Sequence, residues 1–206
     1  MSWIRRSFDA AGLTQYPVGR SLAAVQARLS GSVILCIDVS GSMYSEDGTG
    51  KSRLVRAVAG STSFIESALE NGYRVGLIAW HHGIASETAL GASRKQLVAH
   101  LHSLTPNGGN DICPTLLRGR HQLASLTGDR VIAIFGDGDL GPVGPAKTLS
   151  KQVAKEGIRI VTMGLGDESA RALDEISTEE TAIPRAAQAE TLADDVAGLS
   201  SLLKRR

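Results

Sequence analysis

Apolar and polar positions alternate along this chain with two different periods. Val33-Ile34-Leu35-Cys36-Ile37 is a short unbroken run rich in β-branched residues, the pattern of a strand buried on both faces of a sheet. Residues 51–70 follow, with Leu54, Val55, Val58, Phe64, Ile65 and Leu69 near helical spacing. Asn71-Gly72 then supplies residues tolerant of the left-handed conformation that closes helices. Residues 73–80 read as the next strand and 88–90 as a short third one. Ser93, with Gln96 three residues on, has the form of a capping box for a helix through about residue 104. Pro114 suits the first turn of a helix over 114–126. A buried strand over 131–135, a helix over 147–156 closed by Gly157, and a strand over 158–163 repeat the logic. A short helix near 169–176, an edge strand near 181–184 and a helix over 192–203 complete the chain. Pro184 is compatible only with an edge strand or its end. Strands alternating with helices predict an α/β fold: a doubly wound, mostly parallel, Rossmann-like sheet with helices on both faces.

Residues 31–206 carry this pattern and read as one domain; residues 1–30 lie outside it, with 21–29 as one amphipathic helix packed on the body. The chain has 206 residues, 42% of them hydrophobic, enough for one sizeable core. Its formal net charge of +1 gives no global field toward nucleic acid or an anionic membrane, so neither is expected as a partner. No apolar run approaches the ~18–20 residues that span a bilayer. Arg5-Arg6 is not followed by the apolar stretch of a secretory signal. Two cysteines do not make a disulfide framework, and Cys36 sits within an apolar run. The expectation is a cytoplasmic protein.

Residues 38–52 hold fragments of two incompatible sites. Gly50-Lys51-Ser52 looks like the end of a phosphate-binding loop, but Ser45 stands where its first glycine belongs. The preceding strand also ends too early, and Glu46 and Asp47 would repel phosphate. Asp38, Ser40 and Ser42 instead place a carboxylate and two hydroxyls at alternate positions beyond the strand, the oxygen ligands that hard divalent cations favour. Phe135-Gly136-Asp137-Gly138-Asp139 ends another central strand in the same way. In doubly wound sheets ligands bind beyond the carboxyl ends of the strands where the strand order reverses. If those two strands are neighbours there, Asp38 and Asp137 converge across one crevice. Two carboxylates ~4 Å apart repel by ~4 kcal/mol at an effective dielectric of ~20, a repulsion that a divalent cation relieves. The loop Pro106-Asn107-Gly108-Gly109-Asn110-Asp111 reaches the same crevice, with glycines for close approach and amides as oxygen ligands.

Together these segments resemble the von Willebrand factor A (vWA) domain with its metal-ion-dependent adhesion site (MIDAS). That site pairs Asp-x-Ser-x-Ser with a Thr in a Gly-Gly-Thr loop and an Asp in a Thr-Asp-Gly turn. Asp38, Ser40 and Ser42 match the first part, and Asp137 with Gly138 matches the last. The chain departs at Asn110, which takes the place of the loop Thr, and at Gly136, which replaces the Thr before Asp137. Asn110 has three options: direct ligation, ligation through water, or none; Asp111 substitutes if the loop shifts. The resemblance implies a metal site of Asp38, Ser40, Ser42, Asn110 and Asp137 for Mg²⁺, with Mn²⁺ or Ca²⁺ as alternatives. It implies an intracellular adhesion or scaffold module that captures a Glu or Asp of a partner protein, in some members an AAA-type ATPase or another complex subunit. Met43, Tyr44, His82, Asp111 and Asp139 form the expected partner-binding rim.

Two other readings compete. One is a vWA fold with a degenerate, metal-free site that binds partners by surface contacts alone. The other is a metal-dependent phosphohydrolase, with Asp139 near the metal and His82 as general base. Against an enzyme, Asp38 lacks the Asp-x-Asp pairing of aspartyl-phosphate enzymes, and Cys113 before Pro114 reads as a loop or core residue.

Overall fold

The structure, a computed structural model, describes residues 31–46, 50–179, 185–187, 194–195 and 198–203. The N-terminal extension, the expected edge strand at 181–184 and residues 192–193 and 196–197 of the expected last helix lie outside the described residues. Within them the chain runs β1 (Ser32–Asp38), α1 (Arg53–Glu70), β2 (Arg74–Trp80), β3 (Ile84–Thr88) and α2 (Arg94–His102). It continues through α3 (Cys113–Leu123), β4 (Arg130–Gly136), α4 (Val143–Lys155), β5 (Arg159–Leu165), α5 (Gly166–Asp174) and β6 (Ala186–Ala187). Short 3₁₀ turns occupy Gly41–Tyr44 and Leu199–Leu202.

The strands form one sheet in the order β3-β2-β1-β4-β5-β6, parallel except for β3. β1 is therefore flanked by β2 and β4, and the chain order reverses between β1 and β4. The unbroken apolar run of β1 has its cause here, since alternate residues enter two cores. Val33, Leu35 and Ile37 pack with α1 and α2 through Leu54, Phe64, Ile65, Leu97 and Leu101. Ile34 and Cys36 face α3 and α4 through Leu116, Leu123, Leu149 and Val153.

Several boundaries differ from expectation. The third strand lies at Ile84–Thr88 rather than 88–90, and runs antiparallel to β2 with a register shift at Ala79/Trp80. Its residues are exposed or half-buried, so it lacks the apolar signature of a central strand. α1 starts at Arg53, not at Lys51; the Ser52 hydroxyl caps it by accepting from the Val55 N–H at 3.4 Å. Exposed Lys51 precedes that cap. α4 begins at Val143 because Pro145 is tolerated in a first turn. α5 begins directly after β5, at Gly166. The capping box of Ser93 and Gln96 is formed as expected, although α2 ends at His102.

At the amino ends of the strands, buried Asp129 accepts from Tyr73 Oη at 2.6 Å and from Arg159 Nη1 at 3.0 Å. Arg159 also donates to the Leu202 carbonyl at 3.1 Å, tying the last 3₁₀ turn to the sheet. At the opposite end, α5 lies hard against β5 and the β4 exit. A Cβ on Gly164 would stand 2.1 Å from Ala170 N, and one on Gly138 2.6 Å from Ser169 Cα. Gly164→Ala is expected to cost about 2–3 kcal/mol, since backbone rather than a pliant side chain must move. Urea unfolding measures it; a wild-type midpoint would refute this packing of α5.

Candidate metal centre

Asp38 is the last residue of β1, opposite Trp80 of β2 and one step beyond the Ile37–Phe135 pair with β4. Parallel pairing thus delivers Asp38 and Asp137 to the same end of neighbouring strands. The Asp38 carboxylate is fully buried. Its Oδ1 accepts from Ser40 N at 2.7 Å and its Oδ2 from Asp137 N at 3.3 Å. The Gly41–Tyr44 turn folds the chain back so that the Ser40 and Ser42 hydroxyls meet at 2.9 Å. The Ser42 hydroxyl donates to Asp137 Oδ2. Asp137 Oδ1 accepts from Asp139 N at 3.3 Å and from Asn110 Nδ2 at 3.5 Å. All five sequence-predicted ligand residues lie in one continuous chain of polar contacts.

Backbone hydrogen bonds hold the loop bearing Asn110. Asn107 N donates to Val39 O at 2.7 Å, Gly41 N to Gly108 O at 3.1 Å, and Asp111 N to His81 O at 2.8 Å. Gly108 has φ +76°, and a Cβ there would lie 2.6 Å from His82 Nδ1. The His82 ring stacks on His81 at 4.2 Å. The glycine is thus required twice, by its dihedral and by the imidazole beneath it.

The expected rim needs one correction. Met43 is fully buried in the core beside Val39 and Leu54, because the 3₁₀ turn points that position inward while it exposes its neighbours. Tyr44, 76% exposed, is the large side chain at the surface. His82 and Asp139 are exposed. Asp111 is half-buried and its Oδ1 accepts from Cys113 N at 2.9 Å, so it serves the start of α3. Asp139 Oδ1 accepts from Gly141 N at 2.9 Å.

One residue escaped sequence reading. Trp80 is fully buried at the end of β2. A Cβ on Gly136 would lie 3.2 Å from Trp80 Cζ2 and 3.1 Å from Asp38 Oδ2. The glycine in place of the family's Thr therefore makes room for an indole beside Asp38. The signal was present as a tryptophan at a strand end coinciding with a missing side chain on a nearby strand, but only strand order joins the two.

Burial, then the charge of Asp137, pushes the Asp38 carboxyl up to about 7. Asn110 Oδ1 is buried without a hydrogen-bond partner. Two carboxylates without a counter-charge, two hydroxyls and an unsatisfied amide oxygen form a donor set that fits a hard divalent cation. Among the described residues no group of three or more His, Cys, Asp or Glu converges on a metal position, so thiolate or imidazole cages do not arise there. Burial, then Asp111, pushes the Cys113 thiol up, which disfavours a thiolate nucleophile. Burial, then His82, pushes His81 down.

The sequence and the fold that position this turn have counterparts among known proteins. The sequence model of the von Willebrand factor type A domain matches residues 33–139, and the chain belongs to that family. Similar folds include BatB, a conserved hypothetical protein from Bacteroides thetaiotaomicron. It has 17% identity and a TM-score of 0.67, with 84% of this chain and 100% of that one covered. The vWF domain of the type V pili tip protein Mfa5 from Porphyromonas gingivalis has 15% identity and a TM-score of 0.71, with 85% and 95% covered. The manganese-loaded TRAP protein of Plasmodium vivax has 14% identity and a TM-score of 0.56, with 81% and 72% covered. No curated protein sequence matches the chain.

The raised Asp38 carboxyl sets a pH dependence in metal-free buffer. The folded state holds a proton that the unfolded state releases near pH 4, so this contribution is complete below pH ~4 and is lost as pH rises toward 7. In EDTA, wild type should lose on the order of 2 kcal/mol relative to Asp38→Asn between pH 5 and 8. Parallel urea curves for the two proteins across that range would contradict the assignment.

Proposed function

We propose that the chain is a protein-binding module that captures an acidic side chain of a partner through a divalent cation at this centre. The observation that carries the reading is the carboxylate pair of buried Asp38 and half-buried Asp137, held together by backbone N–H groups and hydroxyls, with no cationic side chain between them among the described residues. Asp38, Ser40, Ser42 and Asp137, with Asn110 beside them, would hold Mg²⁺, or Mn²⁺ or Ca²⁺. A cation bound there would balance the two charges and offer an open coordination position to an outside carboxylate.

The surroundings support a macromolecular ligand. Gly41, Gly108 and Gly109 are exposed around the centre, so low backbone rather than tall side chains borders it. Tyr44 adds one aromatic contact of the kind enriched at binding hot spots. Cavities of about 610, 300 and 360 Å³ lie elsewhere, on the flanks of α1, α2 and α3. A non-enzymatic role accords with the protonated Cys113 thiol and with the outward hydrogen bonding of Asp139 to its own turn. The occurrence of the fold in a type V pili tip protein and in a pilus adhesin supports the same class of role. An AAA-type ATPase subunit in the cytoplasm is one source of the captured carboxylate, and the free thiols Cys36 and Cys113 fit a reducing compartment.

Millimolar Mg²⁺ should raise the thermal midpoint of wild type, as a ligand of the folded state does, and alter the fluorescence of Trp80. Asp38→Ala should abolish both responses while remaining folded by circular dichroism. Calorimetry without heat of binding for Mg²⁺, Mn²⁺ or Ca²⁺ would remove the metal from the proposal. Capture on an array of glutamate- and aspartate-bearing peptides should need the cation, and Ser42→Ala should weaken it by roughly 10-fold, about 1.4 kcal/mol. Peptide retention that persists in EDTA and in both variants would place the interface elsewhere.

A further inference from the structure

The chain contains two Asn-Gly pairs, Asn71-Gly72 and Asn107-Gly108. An asparagine followed by glycine is open to attack by the glycine nitrogen on its own side-chain carbonyl, because no Cβ shields the approach. The structure distinguishes the two pairs sharply. At the first, Asn71 Nδ2 donates to Ser67 O at 2.9 Å and Gly72 N donates to Leu69 O at 3.0 Å. Both the leaving group and the attacking nitrogen are therefore held in the end of α1. At the second, Asn107 and Gly108 are exposed. Among the described residues neither the Asn107 amide nor the Gly108 N–H has a hydrogen-bond partner. The glycine cannot be exchanged for a shielding residue, since its φ is +76° and a Cβ would meet His82 Nδ1 at 2.6 Å.

We infer that Asn107 is a site of spontaneous deamidation, and that the modification acts on the metal centre. Gly108 N bonds to Asn107 Cγ and gives up its proton, and Nδ2 leaves as ammonia, closing a succinimide. Water then opens the ring at either carbonyl, leaving aspartate or isoaspartate; the net change is one water in and one ammonia out, with no redox partner. Either product adds a carboxylate to the rim of the crevice. Isoaspartate also lengthens the main chain between two anchors, the Asn107 N bond to Val39 O at 2.7 Å and the Gly108 O bond from Gly41 N at 3.1 Å. Asn110 and the Ser40–Ser42 turn lie directly beyond those anchors. The effect on the centre rests on the metal-binding reading above; the modification itself does not.

Incubation of the full chain at mildly alkaline pH, followed by peptide mapping, tests the chemistry. Asn107 should convert at least about 10-fold faster than Asn71, the factor that breaking two hydrogen bonds of ordinary net strength implies. Asn107→Gln should abolish conversion in its peptide. Equal conversion of the two sites, or faster loss at Asn71, overturns the inference. The aged wild type should then lose Mg²⁺-induced thermal stabilisation in proportion to its isoaspartate content, while equally aged Asn107→Gln keeps it. Aged protein rich in isoaspartate that retains the full rise overturns the coupling to the centre. A fresh protein that never responds to Mg²⁺ counts against the metal reading alone, because the peptide map does not depend on it.

Discussion

Parallel pairing of β1 with β4 brings Asp38 and Asp137 together, and the rest of the site is an accommodation of that pair. A carboxylate at the end of an interior strand has no water on either side, and its neighbour repels it. The local sequence meets the difficulty with backbone N–H groups aimed at each carboxylate and with hydroxyls that span between them. Gly136 keeps side-chain bulk out of the gap, and Trp80 seals one side. A divalent cation at this place would supply the missing counter-charge, and the two serines at alternate positions would then offer it hydroxyl ligands.

Much of this is legible in the sequence. The apolar run 33–37 reads as a central strand because it is short, rich in β-branched residues and followed at once by polar loop residues, and all of it is buried. The alternate spacing of Asp38, Ser40 and Ser42 announced oxygen chemistry, and the second strand-end aspartate supplied its partner. Met43 was misread because a loop residue between polar neighbours looks exposed; only the 3₁₀ turn shows that every position but this one faces out. β3 was misplaced because a half-exposed edge strand of mixed residues has no period strong enough to mark it. The role of Trp80 was unreadable for a different reason, since it depends on which strands become neighbours and on a side chain that is absent.

The loops around the polar pair are also bonded to one another. Four chain segments meet over the carboxylates: the Ser40–Ser42 turn, the 81–82 corner, the 107–111 loop and the 137–141 turn. Each is tied to another by main-chain hydrogen bonds, including Ile112 N to Leu140 O at 3.2 Å. Gly141 lets the last of them pass beneath the Asn110 carbonyl, where a Cβ would stand 2.2 Å from the oxygen. Preorganisation of this kind lowers the ordering cost of binding.

The position of β1 also has a mechanical meaning. Its carboxyl end carries Asp38, and its amino end continues into the N-terminal extension. A partner held at the crevice and a tether on that extension would pull β1 along its own axis. Because β2 and β4 both run parallel to it along its length, any slip of β1 past its neighbours under that load would shear two ladders of hydrogen bonds at once instead of opening one from its end. Yielding under such a load would be set by the rate of unfolding rather than by the equilibrium stability of the domain.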